Sequence, residues 1–289
     1  IKGGAFIMYT IGLTSWSEHR SLIKNIDHPL TLQEYSAFFP TVELDTFFYG
    51  IPRVTSVAAW LTKVPSDFKF VIKANRSFTL HPGEELTKDE LSKKINVFKE
   101  AISPLIEQNA LKTILCQFPP YFDATAKNVA YLKYLIKELA GLPLSFEFRN
   151  RSWFNSQIFN SLITFCTQNK ITLVAVDEPS IGRLSVPFKP VITNKQLLLI
   201  RLHGRNKAGW QHTGPDWRKY RTLYDYSDEE LNRLKDTLFS LQNSVQEICI
   251  IFNNNSGGHA AQNALSLKKM LNVQFHNLNK KPPEQLDFF

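Results

Sequence analysis

Short apolar runs of four to six residues recur along the chain, and most are separated by enough residues for a helix. The runs are rich in β-branched and aromatic residues and are bounded by polar or turn-forming residues, which is typical of buried strands. The pattern predicts eight strands, at 8–13, 41–44, 69–73, 113–117, 144–148, 172–176, 196–201 and 247–252.

Helical patterns lie between most of these strands. Three of them begin with a Ser or Thr followed three residues later by Glu, the spacing of a capping box: Thr31 with Glu34, Thr87 with Glu90, and Ser227 with Glu230. No such pattern follows the sixth strand, because 178–195 is rich in Pro and Gly and reads as a loop that replaces a helix. A second long irregular stretch, 203–226, follows the seventh strand, and long loops in compact domains are usually functional.

Alternating strands and helices fit either a closed barrel or an open doubly wound sheet. In a barrel every strand sends alternate side chains inward, and polar groups gather at the carboxyl ends. Nearly every predicted strand carries such a group, which favours the barrel. The sequence therefore predicts a single closed (β/α)₈ barrel of TIM type over 8–273, followed by a flexible C-terminal tail over 274–289.

The formal net charge of +8 at pH 7 favours anionic partners at low salt. The cysteines, Cys116, Cys166 and Cys249, lie in apolar stretches without metal-ligand spacing and read as reduced core thiols. No apolar run is long enough to span a bilayer and no signal peptide is evident, so we expect a cytoplasmic protein without a membrane partner. Residues 1–7 precede the first Met, and no element is predicted for them.

Five runs stand out for their polar and aromatic content: 42–49 (VELDTFFY), 117–120 (QFPP), 146–153 (FEFRNRSW), 201–205 (RLHGR) and 252–255 (FNNN). Together, and in the same order along the chain, they resemble the YecE-like family, domain of unknown function family 72. The resemblance implies a barrel of the triosephosphate isomerase type in a bacterial, cytoplasmic setting, and it implies no reaction. The chain departs from the family pattern in its first loop, Thr14 to Ser17, where a glycine-bearing turn is expected, and at Asn150, where His is common.

An anion site is predicted between the loops after the seventh and eighth strands, where TIM-type barrels often bind phosphate. Arg201 and Arg205 follow one strand, and Asn253, Asn254, Asn255 and Gly258 lead into a helix N-terminus after the other. The alternative is that these amides cap the chain and that the arginines pair with Glu147 and Asp177.

Four residues are candidates for acid–base catalysis, namely Glu43, Glu147, Asp177 and His203. The same set could hold a divalent ion such as Mg²⁺, Mn²⁺ or Zn²⁺, or it could form an arginine–carboxylate lattice that performs no chemistry. Further substrate-binding candidates are Asp45, Tyr49, Lys73, Arg76, Gln117, Arg149 and Trp153, with Trp210 as another aromatic wall. No nucleophile elbow, Walker sequence, glycine-rich nucleotide loop or paired-cysteine motif occurs.

The last five residues, Gln285, Leu286, Asp287, Phe288 and Phe289, resemble the peptide with which bacterial replication and repair proteins dock on the sliding DNA clamp. Leu286 and the phenylalanines would fill an apolar groove while Gln285 fixes the register. The alternative is a tail that folds back on its own barrel.

Three hypotheses follow from the sequence. The first is an enzyme, such as a hydrolase or phosphoesterase, that acts on a phosphate-bearing or other anionic substrate, with DNA processing or repair as its setting. The second is a hydrolase or isomerase of a small sugar phosphate. The third is a non-catalytic protein that binds an anion or acts as an adaptor.

Overall fold

The computed structural model describes residues 7–24, 26–182 and 185–282. Its sheet contains nine parallel strands: β1 (Met8–Thr14), β2 (Thr41–Leu44), β3 (Lys69–Lys73), β4 (Leu111–Phe118), β5 (Leu144–Phe148), β6 (Thr172–Leu173), β7 (Ala175–Asp177), β8 (Leu197–Leu202) and β9 (Glu247–Phe252). These segments coincide with the eight predicted strands, because β6 and β7 are the two halves of the sixth.

The ring of strands closes through this divided strand. β6 pairs with β5 and β7 pairs with β8, while β1 pairs with both β2 and β9. Between the two halves, the Val174 amide still donates to the Phe146 carbonyl oxygen at 2.9 Å. The predicted TIM-type barrel is therefore confirmed, with one interruption in its sixth strand.

Helices follow seven of the eight barrel strands. They are α1 (Leu32–Tyr35), α2 (Thr46–Tyr49), α3 (Val54–Leu61), α4 (Lys88–Glu107), α5 (Ala126–Glu138), α6 (Ser156–Gln168), α7 (Lys207–Gln211), α8 (Trp217–Arg221), α9 (Asp228–Leu241) and α10 (His259–Met270). The three predicted capping boxes are confirmed at the starts of α1, α4 and α9. Among the described residues between β7 and β8 there is no α-helix, as the sequence predicts. The prediction of an irregular stretch after β8 is wrong in part, because this stretch contains α7 and α8.

Two separate apolar layers hold the barrel together. The outer layer lies between the strands and the helices and includes most of the large aromatic residues. The inner layer is small and aliphatic, built from the inward positions Val71, Leu115, Val174, Leu199 and Ile251 and their neighbours. The three cysteines are buried and unpaired, as predicted. Because the inner layer fills the middle of the ring, polar inward side chains can gather only above and below it.

Gly12 shows how closely adjacent strands approach. A Cβ at this position would lie 2.4 Å from the Thr41 carbonyl oxygen, whereas a Cβ at Gly50 would meet nothing within 4 Å. We expect Gly12→Ala to lower the free energy of unfolding by about 3 kcal/mol, because strand backbone cannot move aside in a closed ring. Chemical denaturation checks this, with Gly50→Ala as the matched control. Equal stability of the two variants would contradict the close approach.

The described part of the tail lies against the barrel. Asn279 donates from its side chain to the Lys63 carbonyl oxygen at 2.8 Å and to Ser36 Oγ at 2.7 Å, and Asn277 donates to Asp67. The pentapeptide Gln285 to Phe289 falls outside the described residues. Within the described ranges, every helix is too short or too polar to cross a bilayer.

Candidate functional site

A fully buried arginine lies beneath the carboxyl-terminal mouth of the barrel. Arg201, on β8, donates from Nε to Glu43 Oε2 at 2.7 Å, and its terminal nitrogens pair with Glu43 and Glu147. All three side chains have no exposed surface. β2, β5 and β8 each send one of them inward, so the three charges form a single lattice at the level where the aliphatic layer ends.

The lattice continues upward through β5. Glu147 Oε1 accepts from Arg149 at 3.0 Å and from the Gln117 side-chain amide at 2.8 Å. Arg149 also pairs with Glu178 at 2.7 Å. Glu178 was not predicted as a site residue, although it continues the inward alternation of Val174 and Val176.

The two buried carboxylates differ in their surroundings. Burial raises the pKa of Glu147, but Arg201, His203 and Arg149 together outweigh burial and hold it well below its ordinary value. Burial also raises the pKa of Glu43. Arg201 lowers that pKa and the nearby charge of Asp45 raises it further, so the pKa of Glu43 stays above its ordinary value. Glu147 is therefore the more firmly ionised of the pair.

His203 is a neutral histidine between two guanidinium groups. Its Nε2 lies 3.2 Å from nitrogens of both Arg149 and Arg201, and its Nδ1 lies 2.8 Å from the Asn253 side-chain amide. Burial, with the charge of Arg201, lowers its pKa to about 3. Because guanidinium nitrogens can only donate, Nε2 is the accepting nitrogen and the ring proton lies on Nδ1, where it pairs with the Asn253 amide when that amide presents its oxygen. His203 thus accepts from the arginines and has no free nitrogen for proton transfer.

Above the lattice, the mouth opens into a cleft with two lobes. The cationic lobe has a volume of 610 Å³, and its charged lining residues are Asp45, Lys73, Arg76, Arg149, Arg218 and Arg221. The polar lobe, of 740 Å³, is lined by hydroxyl and amide groups with Glu18, Asp45, Arg218 and Lys219. Tyr49 and Arg218 line both lobes, and an Arg218 nitrogen donates to the Tyr49 hydroxyl at 2.7 Å. Five cations against one carboxylate make the cationic lobe suited to an anion.

A short strap formed by α7 and α8 covers one side of the cationic lobe. Trp210 of α7 has the guanidinium of Arg221 4.4 Å from its ring centroid and that of Arg149 4.9 Å away. Trp217 of α8 lies in the same way beside Arg221 and Arg218. The tryptophan faces therefore hold arginines in place by cation–π contacts, rather than lying free to stack on a ring.

The structure brings most of the predicted residues to the mouth. Those that line the cleft are Asp45, Tyr49, Lys73, Arg76, Gln117, Arg149, His203, Asn253 and Asn255. Glu43, Glu147 and Arg201 lie directly beneath them, fully buried. Both carboxylates are engaged by guanidinium groups, which is the contact that the lattice alternative predicts.

Other predicted residues lie elsewhere. Asp177 points outward from β7 and bonds Arg205 and the Tyr226 hydroxyl, the latter at 2.6 Å. Arg205 also pairs with Glu230 at 2.9 Å. The predicted anion site formed by Arg201, Arg205 and Asn254 is therefore corrected, because both arginines are paired with carboxylates and Asn254 is buried against Tyr224 and Asn263.

Trp153 and Gly258 also lie away from the cleft lining. Trp153 is buried, stacks on Phe148 with ring centroids 4.4 Å apart, and donates from Nε1 to the Phe122 carbonyl oxygen at 2.8 Å. It anchors the loop after β5. Gly258 adopts a left-handed conformation with φ of 76° and begins α10 beside Ser21. Their predicted contact with substrate is not supported, because neither residue lines either lobe.

Several residues that line the cationic lobe were not predicted, and four of them carry a guanidinium, indole or imidazole group. Trp217, Arg218 and Arg221 belong to α8, a five-residue helix too short to show periodicity. His81 lies in the loop after β3, its Nδ1 2.9 Å from Thr79 Oγ1. Burial, with the charges of Lys73 and Arg76, lowers its pKa to about 4. The one available signal was the density of Trp and Arg in 210–221.

A metal site is not evident in the mouth. Within residues 7–24, 26–182 and 185–282, no group of three His, Cys, Asp or Glu side chains is arranged to hold an ion. Glu43, Glu147 and His203 meet guanidinium nitrogens where a metal ligand set would need open space.

Comparison with known proteins places the chain in a family. The family described as "Protein of unknown function DUF72" matches residues 10–286. The UPF0759 protein YunF of Bacillus subtilis (strain 168) is 37% identical over 285 residues, which cover 98% of this chain and 100% of that protein.

Solved structures agree with this match. A DUF72 family protein of Enterococcus faecalis V583 is 41% identical with a TM-score of 0.89, covering 97% of this chain and 100% of its own. Another, from Thermotoga maritima MSB8, is 33% identical with a TM-score of 0.77, covering 92% of this chain and 100% of its own. The chain therefore belongs to the DUF72 family, as its resemblance to that family predicts.

Proposed function

We propose that the mouth of the barrel binds a small phosphate-bearing substrate in the cationic lobe. The observation that carries this proposal is the charge of the lining, in which Lys73, Arg76, Arg149, Arg218 and Arg221 face a single carboxylate, Asp45. Active sites of TIM-type barrels lie at this end, and arginine is well suited to phosphate oxygens. The strap of α7 and α8 encloses one side, which favours a small molecule over a duplex.

As an enzyme, the protein would use Asp45 for acid–base chemistry. Its carboxylate is 33% exposed and lies 3.3 Å from Lys73 Nζ, whereas Glu43 and Glu147 are fully buried. Lys73 itself lies 4.7 Å from the Phe48 ring centroid, which fixes its position at the floor of the lobe. A carboxylate beside a held ammonium group is suited to moving a proton while the cation faces a phosphate oxygen. This supports a hydrolase or isomerase of a phosphate ester.

Substituting Lys73 tests the binding proposal. We expect Lys73→Met to weaken the binding of ribose 5-phosphate by about tenfold, because it removes one charged donor and leaves Asp45 to repel the ligand. Isothermal titration calorimetry at low salt measures this, and ribose without phosphate should show no binding. Arg233→Gln, an exposed substitution on α9, is the control and should bind as the unaltered protein does. Equal affinity for ribose and its phosphate would reject the proposal.

The C-terminal pentapeptide favours a second candidate function, recruitment to the bacterial sliding clamp and thus to DNA processing. Gln285, Leu286, Asp287 and the two phenylalanines provide the apolar and register-fixing groups that such docking needs. We expect a peptide of the last dozen residues to bind purified clamp with micromolar affinity, and a peptide with Phe288→Ala and Phe289→Ala to lose it. Fluorescence anisotropy measures both, and no binding of the first peptide would remove this partner.

A further inference from the structure

Three guanidinium groups in the cationic lobe, those of Arg76, Arg218 and Arg221, have no carboxylate within 4 Å among the described residues. Arg218 donates to the Tyr49 hydroxyl at 2.7 Å. Arg76, in the loop after β3, and Arg221, at the end of α8, each have a buried Nε that makes no hydrogen bond to any described residue. Arg149, by contrast, is paired with Glu147 and Glu178, and Lys73 is paired with Asp45. Arg76 and Arg221 are therefore the cations of the lobe that combine a missing ion pair with an unbonded buried Nε, among the residues that the structure describes.

Each of these two residues also has a second cation beside it. Arg221 and Arg149 both lie against Trp210, with the two guanidinium groups 4.4 and 4.9 Å from its ring centroid. Burial and the charge of Arg149 lower the pKa of Arg221 to about 10, so it remains charged at pH 7. Arg76 and Lys73 line the lobe together with His81, whose pKa their charges help to lower.

The two cationic clusters belong to different parts of the rim. Arg76 and Lys73 come from β3 and its loop, and Arg149 and Arg221 come from β5 and the strap. β4 lies between β3 and β5 and contributes Gln117 to the lining. Gln117 is a neutral amide that is already bonded to Glu147, so it separates the clusters without neutralising either one.

Lys73 and Arg149 already have carboxylate partners, so in each pair the arginine without one, Arg76 or Arg221, is the cation that a bound anion would neutralise. Because these two arginines belong to different parts of the rim, they suit two negative groups rather than one. We propose that the ligand of the cationic lobe carries two separate anionic groups, as in a bisphosphate, one held by Arg76 with Lys73 and the other by Arg221 with Arg149. This inference rests on the proposed function and narrows its substrate class.

Calorimetric titration with matched sugar phosphates tests the inference. The probes are fructose 6-phosphate and fructose 1,6-bisphosphate, which differ only in the second phosphate. We expect the bisphosphate to bind at least tenfold more tightly, since each charge-assisted contact contributes about tenfold or more. Arg76→Gln and Arg221→Gln should each abolish most of this advantage, because only one of the two anionic groups then keeps its guanidinium partner, and Arg233→Gln should leave it unchanged.

The outcomes separate the two proposals. Equal affinity for the two sugars would overturn the two-anion inference and leave the phosphate-binding proposal standing, whereas binding of neither would overturn both. Because neither arginine has an ion pair among the described residues, both Gln variants should remain folded, which differential scanning calorimetry checks. An intact bisphosphate advantage in both folded variants would overturn the inference as well.

Discussion

Arg201→Met should lower the free energy of unfolding by about 4 kcal/mol, because it leaves Glu43 and Glu147 buried without their shared partner. Each carboxylate would then have to be protonated or solvated inside the barrel. For a chain of this size we expect the melting temperature to fall by about 10 °C. Differential scanning calorimetry at pH 7 measures this directly.

Arg205→Met is the matched control for Arg201. Arg205 also bridges two carboxylates, Asp177 and Glu230, but its side chain is 38% exposed, so water can solvate the partners it leaves. We expect a clearly smaller fall in its melting temperature. If both variants had the same melting temperature, or if Arg201→Met had that of the unaltered protein, the buried lattice would not stabilise the fold as its geometry indicates.

Stability should depend on pH through His203. Burial and Arg201 lower its pKa to about 3 in the folded state, against about 6.5 in the unfolded chain. As the pH falls below 6.5, the unfolded chain takes up a proton that the folded protein does not, so stability is lost progressively between about pH 6.5 and 3. At pH 5 this loss should be about 2 kcal/mol.

The charged groups that face His203 are Arg149, Arg201 and Glu147, so substituting the histidine alone isolates its titration. In His203→Gln we expect about 2 kcal/mol less loss of stability between pH 7 and pH 5 than in the unaltered protein. Urea denaturation at both pH values gives this difference. His276→Gln, at an exposed position, is the control and should lose as much stability between the two pH values as the unaltered protein does. Parallel pH profiles for all three proteins would mean that burial does not hold His203 neutral.

The barrel could be predicted because its strands carry two regular signals. Apolar runs give their positions, and inward alternation gives the residues of the lattice, such as Glu147 with Arg149 and Arg201 with His203. The same alternation places Asp177 on the outward side, together with Ala175, and Glu178 on the inward side. Position at a strand end therefore does not determine which way a side chain points.

The rim could not be predicted, because its residues come from loops and very short helices. Nothing in the sequence shows that Trp217 to Arg221 folds over the mouth, or that Arg205 turns outward to Glu230. These positions depend on contacts between residues far apart in the sequence. Gly209, for example, lies so close to Tyr220 that a Cβ added to the glycine would be 2.1 Å from the Tyr220 carbonyl oxygen. The first loop is a milder case, since Ser15 adopts φ of 65° where the family pattern leads one to expect glycine.

The measurement that tests the account most directly is a crystal structure of the protein soaked in tungstate, an electron-dense analogue of phosphate. Anomalous scattering locates the bound ion without reference to any assumed substrate. We predict that the strongest peak lies inside the cationic lobe, in contact with Arg76, Arg221 or Lys73. Peaks confined to the outer surface, with the lobe empty, would contradict the claim that the mouth of this barrel is an anion-binding site.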